Sequence, residues 1–166
     1  MSRQIRMQIP QTQKKESSKH TGKKKTFDKN AYLLAFILFF INEYERLGAI
    51  IPEIAVLTEQ SSESQEQKNA ILGELELLSS FLKYNQIDEM SKHHRKAYEL
   101  LGHKASLINL RSTWTFGSPS VLLLYHRSAG KLSEECVQMD ECMPVYYALT
   151  GGHGMGAEYM MRAEAD

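Results

Sequence analysis

The sequence contains little cysteine and little proline. Its 166 residues include two cysteines, four prolines and ten glycines. Two cysteines are too few for the disulfide framework of a small secreted domain, and the proline and glycine contents argue against a collagen-like or wholly disordered chain. Neither sign of charge dominates, because 20 Lys and Arg balance 20 Asp and Glu. The length suits one folded domain or a few helical repeats.

The balanced charge is unevenly distributed along the chain. Residues 1–30 hold nine Lys and Arg against two Asp and Glu, with few bulky apolar side chains. We therefore expect residues 1–28 to form a disordered basic tail and residues 29–166 to form the folded domain. Two functions of the tail remain open, an electrostatic arm for phosphates or anionic lipid and a merely solvated extension.

Long hydrophobic runs are also absent. The most apolar stretch, residues 31–41, would rise about 16 Å as a helix, whereas a membrane core is about 30 Å thick. This stretch predicts a buried helix in a cytoplasmic protein, without stable membrane insertion. The alternative is a small membrane-associated protein, anchored by the Lys-rich tail and this apolar helix.

Further along the chain, apolar residues recur at the three- and four-residue spacing of amphipathic helices. Such stripes occupy residues 65–84 and the segment that begins at Ile87, and the short turn between them predicts an antiparallel helical hairpin. Another stripe begins at Leu132 and contains Cys136, Met139, Met143 and Tyr146. A last stripe is predicted from Met155, Tyr159 and Ala163.

Prolines and glycines predict the breaks between these helices. We expect a helix to restart at Pro52 after Gly48, and another to kink or end near Met143, because Pro144 removes a backbone donor. The glycine-rich residues 151–156 predict a flexible turn between helices. Their spacing does not match a phosphate-binding loop.

The sequence resembles a known repeat family at several places. Residues 130–136 resemble the turn of the tetratricopeptide (TPR) motif, with Gly130 closing one helix and Cys136 in the place of the usual alanine. Residues 95–101, 112–122, 139–147 and 152–158 are similar to the TPR-like arm of MalT-type, LuxR-family bacterial transcriptional regulators. The resemblance covers about residues 50–166.

The resemblance implies an all-α fold, a TPR-like stack of antiparallel helical hairpins with about 6–7 helices. Because the last predicted stripe has no hairpin partner, we also expect the chain to be part of a longer solenoid. The resemblance implies a non-enzymatic arm of a transcriptional regulator that senses a small-molecule effector or contacts a protein. The sequence contains neither the phosphate loop of the family's ATPase module nor its helix-turn-helix. DNA binding is therefore expected only through modules outside these residues.

The reactive side chains do not predict an enzyme. His93 and His94 are adjacent, so they point about 100° apart on a helix and do not share a metal. We expect His94 to be a hydrogen-bonded histidine at the edge of the core. Cys136 and Cys142 are not at C-x-x-C spacing, and no local base activates them, which predicts inert buried thiols. Neither a cofactor nor a metal is expected.

Aromatic and histidine residues are the predicted binding residues for an effector or partner. The connector residues Trp114 and Phe116 either pack inward or present an anchor to a partner. Of the adjacent tyrosines in the Leu132 stripe, one must point inward and the other can line a groove. The full predicted set is Trp114, Phe116, Tyr125, His126, Tyr146, Tyr147 and His153.

Overall fold

The computed structural model describes residues 29–83, 85–104, 106–109, 111–113 and 120–165. No β-strand occurs among these residues, and the all-α prediction is confirmed. The tail predicted for residues 1–28 lies outside the described residues. The helices of the described chain are α1 (Lys29–Phe40), α2 (Tyr44–Gln60), α3 (Gln65–Phe81), α4 (Ile87–Leu100), α5 (Val121–Tyr125), α6 (Leu132–Thr150) and α7 (Ala157–Ala165).

Local sequence determines both ends of α3. At its start, the Ser64 hydroxyl accepts a hydrogen bond from the Gln67 amide at 3.3 Å, and Gln67 Oε1 accepts one from the Ser64 amide at 3.0 Å. This reciprocal capping box satisfies two backbone donors that the helix leaves unpaired. After α3, Asn85 turns the chain with φ 63°. Asparagine tolerates this left-handed conformation, so the turn into α4 forms without glycine.

The helices α3 and α4 pack as an antiparallel hairpin and approach each other closely at Gly73. A Cβ atom at Gly73 would lie 2.7 Å from Leu101 Cγ and 3.1 Å from the Ala97 carbonyl oxygen. Real Cβ atoms do not approach neighbours this closely, so the separation of the two helices depends on the missing side chain.

The predicted apolar stripes of α4 and α6 form the core. Ile87, Met90, His94 and Ala97 of α4 are buried. Along α6, Cys136, Met139, Met143 and Tyr146 are buried as well. Because α4 also packs against α6, these two stripes face each other. Both stripes are confirmed.

The helices continue through two prolines at which breaks were predicted. The expected restart at Pro52 is wrong, because α2 runs without interruption from Tyr44 to Gln60. Of the kink or end expected near Met143, the end is wrong, because α6 continues through Pro144 to Thr150. An internal proline removes one helical hydrogen bond. The burial of residues on both sides of each proline stabilises the continuous helix.

The C-terminal helices differ from the predicted arrangement. In α7, Ala157 and Met161 are buried, whereas Tyr159 is 69% exposed, and Met155, just before the helix, is 65% exposed. The predicted stripe at Met155, Tyr159 and Ala163 is therefore wrong. Residues four positions apart form two series in this short segment. The structure buries the series of Ala157 and Met161 instead of the series of Met155 and Tyr159. The helix α5 makes its main contacts with α7.

The helix α1 is half buried. One face, formed by Ala35, Phe36, Leu38 and Phe39, lies in the core. The opposite face is equally apolar but open to solvent: Leu33, Ile37, Phe40 and Ile41 are each 55–56% exposed. The buried helix predicted from residues 31–41 is thus confirmed for one face and wrong for the other.

The contact at Gly73 predicts an unusual response to a helix-favouring substitution. Alanine normally stabilises a helix interior by up to about 1 kcal/mol relative to glycine. Gly73→Ala should instead lower the free energy of unfolding by about 1–2 kcal/mol, because overpacking against Leu101 exceeds that gain. Urea denaturation followed by circular dichroism measures the change.

Gly48→Ala is the matched control for this prediction. Gly48 lies in the interior of α2, and an added Cβ would meet Leu82 Cδ1 at 3.5 Å, an ordinary van der Waals contact. This variant should be as stable as the parent chain or more stable. Equal gains in both variants would contradict the close approach of α3 and α4.

Candidate functional site

Those predicted binding residues that the structure describes do not all line one site. Tyr125, Tyr146 and His153 come together around a cavity of about 30 Å³, where α3, α4, α5, α6 and the start of α7 meet. His126 and Tyr147 are not among the residues that line it. Trp114 and Phe116 lie outside the described residues, so the prediction made for them stays a prediction.

His153 connects the glycine-rich turn between α6 and α7 to the connector that precedes α5. Its Nδ1 lies 2.7 Å from the Tyr146 hydroxyl, and its Nε2 lies 3.1 Å from the Thr113 carbonyl oxygen. A carbonyl only accepts, so Nε2 carries the proton and Nδ1 accepts from the tyrosine. Burial lowers the pKa of His153 against the opposing effect of the Thr113 bond, which favours this neutral tautomer.

His94 lies beside Tyr146 in the core. The centres of the two rings are 4.9 Å apart, and His94 Nε2 is 3.0 Å from the Ser80 hydroxyl of α3. The prediction of a hydrogen-bonded histidine on this stripe is confirmed. Burial, with a smaller contribution from His93, lowers the pKa of His94 to about 3. The ring is therefore neutral at physiological pH.

His126, in the loop between α5 and α6, is hydrogen-bonded to a buried carboxylate. Its Nδ1 lies 2.6 Å from the carboxylate of Glu135, whose side chain is fully buried. The same carboxylate accepts a hydrogen bond from the Arg127 amide at 3.1 Å. Burial alone would raise the pKa of Glu135, but the bonds from His126 and Arg127 outweigh it and lower the pKa. His126 therefore has a structural role in this loop.

Tyr147 is also occupied within the chain. It is half-buried, and its hydroxyl donates a hydrogen bond to the Glu158 carboxylate of α7. Burial and the bond to this carboxylate both raise the pKa of Tyr147. The tyrosine therefore fastens α7 to α6.

The cavity beside Tyr146 is too small for an effector. A site of about 30 Å³ holds one or two water molecules, whereas pockets for small organic ligands measure about 300–1,000 Å³. Of the predicted residues, Tyr125, Tyr146 and His153 thus share a location, but that location is a structural junction.

A much larger cleft lies on the opposite part of the α3–α4 hairpin. Its volume is about 670 Å³. It is bounded by Tyr32 of α1, by the first half of α3, by the end of α4 and by the connector that follows. Its mixture of apolar and carboxylate side chains suits a small organic molecule with a polar group.

Glu74 is the buried polar residue of this cleft, and sequence reasoning missed it. Its Oε1 accepts a hydrogen bond from the Leu107 amide at 2.8 Å, which fixes the connector to α3. Burial raises the pKa of Glu74 to about 7, although the bond from Leu107 acts in the opposite direction. The signal was its register: Glu74 lies three residues after Ile71 and four before Leu78, on the buried face of α3.

Comparison with protein-family models, with curated proteins and with solved structures finds no match to this chain. Within the described residues, no group of three or more His, Cys, Asp or Glu side chains could hold a metal ion. Both cysteines are buried free thiols. Across the same ranges, no helix is both long enough and apolar enough to cross a membrane. The function must therefore be argued from the geometry of the cleft and from the sequence resemblance.

The buried neutral His94 predicts a loss of stability in acid. In the unfolded chain this histidine has its ordinary pKa of about 6.5 and binds a proton below that pH, whereas the folded protein excludes the proton down to about pH 3. The free energy of unfolding should therefore fall as the pH drops below 6.5. The contribution of His94 between pH 7 and pH 5 is at most about 2 kcal/mol.

His94→Gln should remove this part of the pH dependence, as measured by urea denaturation at both pH values. His103 supplies the control, because its side chain is exposed. The change His103→Asn keeps a residue that tolerates the left-handed backbone at φ 62° and should leave the slope unchanged. An unchanged slope in His94→Gln would contradict a neutral histidine in the core.

Proposed function

We propose that this chain is a non-enzymatic, cytoplasmic helical scaffold that binds a small-molecule effector in the cleft between α1, α3 and the connector after α4. The resemblance to the TPR-like arm of LuxR-family regulators supports this role, because that arm senses effectors. In such a protein, DNA is contacted by a separate module, and the arm reports whether the effector is bound.

The observation that carries the proposal is the cleft itself. Its volume of about 670 Å³ lies within the range of small-molecule sites, and a buried carboxyl group lies among apolar side chains. Its walls also come from segments that are distant in sequence. Tyr32 of α1 and Leu107 of the connector both line it, so a ligand there would bridge α1 and the connector. Such bridging is what effector sensing requires, since a ligand shifts a conformational equilibrium only by contacting the two states differently.

A neutral probe tests whether the cleft binds ligands. In NMR titrations with 4-phenylbutanol, we expect saturable shifts of the amides of Ile71, Leu101 and Leu107. Ala70→Trp places a large ring on an exposed position of the cleft wall and should remove these shifts.

Ala163→Trp is the matched control, because Ala163 is exposed on α7 and does not line the cleft. This variant should keep the response of the parent chain. Shifts confined to the exposed face of α1, or shifts that persist in Ala70→Trp, would contradict binding in the cleft.

The exposed face of α1 favours a second function, peripheral association with an anionic membrane surface. Leu33, Ile37, Phe40 and Ile41 present apolar side chains to solvent, and a run of lysines at residues 23–25 precedes the helix. Apolar burial and attraction to anionic lipid together are the two components of interfacial binding. In this second function, the chain lies on the membrane surface without crossing the membrane.

Vesicle flotation distinguishes this alternative from the effector-binding role. If α1 inserts into the interface, the chain should float with phosphatidylserine-containing vesicles, less so at high salt, and Ile37→Glu should weaken partitioning about tenfold or more. Val56→Glu is the control, since Val56 is 54% exposed on α2. The absence of flotation, or equal flotation of Ile37→Glu, would rule out membrane association through α1.

A further inference from the structure

The cleft contains a buried carboxyl group with one unused oxygen. Glu74 is only 5% exposed and lines the cleft. Its Oε1 accepts from the Leu107 amide, but its Oε2 has no hydrogen-bond partner within the described structure. Buried polar atoms in native proteins are almost always paired, because an unpaired one loses its hydration without compensation. Oε2 is itself closed to solvent, so a ligand's donor would supply the missing bond after a small rotation of the Glu74 side chain toward the cleft.

The charged side chains that line the cleft favour a ligand of positive charge. Besides Glu74, the charged side chains that line the cleft are Glu66, Glu99 and Lys104. Lys104 Nζ lies 3.3 Å from Glu66 Oε1, so the single cation of this lining is already compensated. Glu74 and Glu99 then leave the cleft with negative potential whenever Glu74 is ionised. Such a cleft attracts a cationic ligand and repels an anionic one.

The other side chains that line the cleft indicate that the rest of the ligand is apolar. Ile71, Leu101 and Leu107 contribute apolar side chains to the same cleft. A strongly hydrated inorganic cation would gain little from these walls and would need several oxygen ligands. An organic cation with an apolar chain matches both the carboxylate and the walls.

We propose that the cleft binds an alkylammonium group, a protonated primary amine on an apolar body, whose nitrogen donates a hydrogen bond to Glu74 Oε2. The inference rests on the proposed effector-binding function and names the chemical class of the effector. An ammonium group carries three donors and no acceptor, which matches a carboxylate that needs a donor. Free amines and lysine side chains share this group, and Lys23, Lys24 and Lys25 of the chain itself are one source.

Protonation of Glu74 should compete with the ligand. With a pKa of about 7 in the empty cleft, Glu74 is largely protonated in mild acid and ionised above neutrality. The affinity for an amine should therefore rise about thirtyfold between about pH 5.5 and 8.5. The groups facing Glu74 are Tyr32 on α1, Glu66 on α3, Glu99 on α4 and Lys104 in the connector. Burial first, and Glu74 second, raise the pKa of Tyr32, which therefore does not titrate in this window.

Three ligands of the same shape test the proposal by calorimetric titration of the full chain: 4-phenylbutylamine, 4-phenylbutanol and 4-phenylbutanoate. The amine should bind at least about tenfold more tightly than the alcohol at pH 8, and the carboxylate most weakly. Glu74→Gln should lower amine affinity at least about tenfold and abolish its pH dependence. The circular dichroism spectrum of the variant shows whether it is folded.

Glu76→Gln is the matched control. Glu76 lies two residues away on α3, pairs with His93 at 2.7 Å and with Lys96, and does not line the cleft. This variant should bind the amine as the parent chain does. If Glu74→Gln fails to fold, the pH profile of the parent chain decides the matter, because a flat profile overturns the proposal.

The remaining outcomes distinguish binding in the cleft from preference for an ammonium group. They also distinguish an external amine from the lysine side chains of the chain itself. Binding of the alcohol without preference for the amine would overturn the ammonium proposal and preserve the cleft as a binding site, whereas binding of none of the three ligands would overturn both. Replacing Lys23, Lys24 and Lys25 together with glutamine should raise the affinity for added amine if these side chains compete for Glu74. Unchanged affinity supports an external amine as the ligand.

Discussion

The close approach of α3 and α4 at Gly73 is the contact on which both ends of the molecule depend. Because no side chain separates the helices there, Leu101 lies against α3 and becomes a wall of the cleft. Farther along the same hairpin, His94 reaches the Ser80 hydroxyl of α3, and its ring packs at a tilt against Tyr146 of α6. A single helix pair thus shapes the cleft at one end and supports the polar junction at the other.

The sequence predicts those helices whose apolar residues lie on one side. In α4 the apolar residues lie on one side of the helix, and their burial follows from the spacing. In α6 apolar residues also occur on other sides, where Val137 is 55% exposed, and the buried row was recognised by its steps of three and four. In α7 apolar residues surround the helix, so the spacing did not distinguish the buried series at Ala157 and Met161. In α1, too, apolar residues lie on all sides, so the sequence did not indicate which face is exposed. The helix boundaries predicted at Pro52 and near Pro144 are absent from the described helices. At each proline, tertiary burial on both sides outweighs the one lost hydrogen bond.

The polar interior was much less predictable, because its partners are remote in sequence. Periodicity counts apolar residues and assigns a Glu such as Glu74 to the surface unless a partner is known. The structure instead uses buried polar side chains to hold the backbone of connectors and turns. His153 was selected for its position near a glycine-rich loop, but its role as a tether depends on a residue 40 positions earlier in the chain. The bonds of this kind run from the Leu107 amide to Glu74, from the Arg127 amide to Glu135 and from His153 to the Thr113 carbonyl.

Glu74 differs from these other tethers in a way that bears on function. Glu135 uses both oxygens, one for His126 and one for the Arg127 amide, and its pKa is lowered. Glu74 uses one oxygen, and its pKa is raised to about 7. Glutamine at position 74 would present the same acceptor to Leu107 without any cost of ionisation. What glutamate adds over glutamine is therefore a titratable negative charge beside the cleft, and that charge becomes favourable only when a cation lies against it.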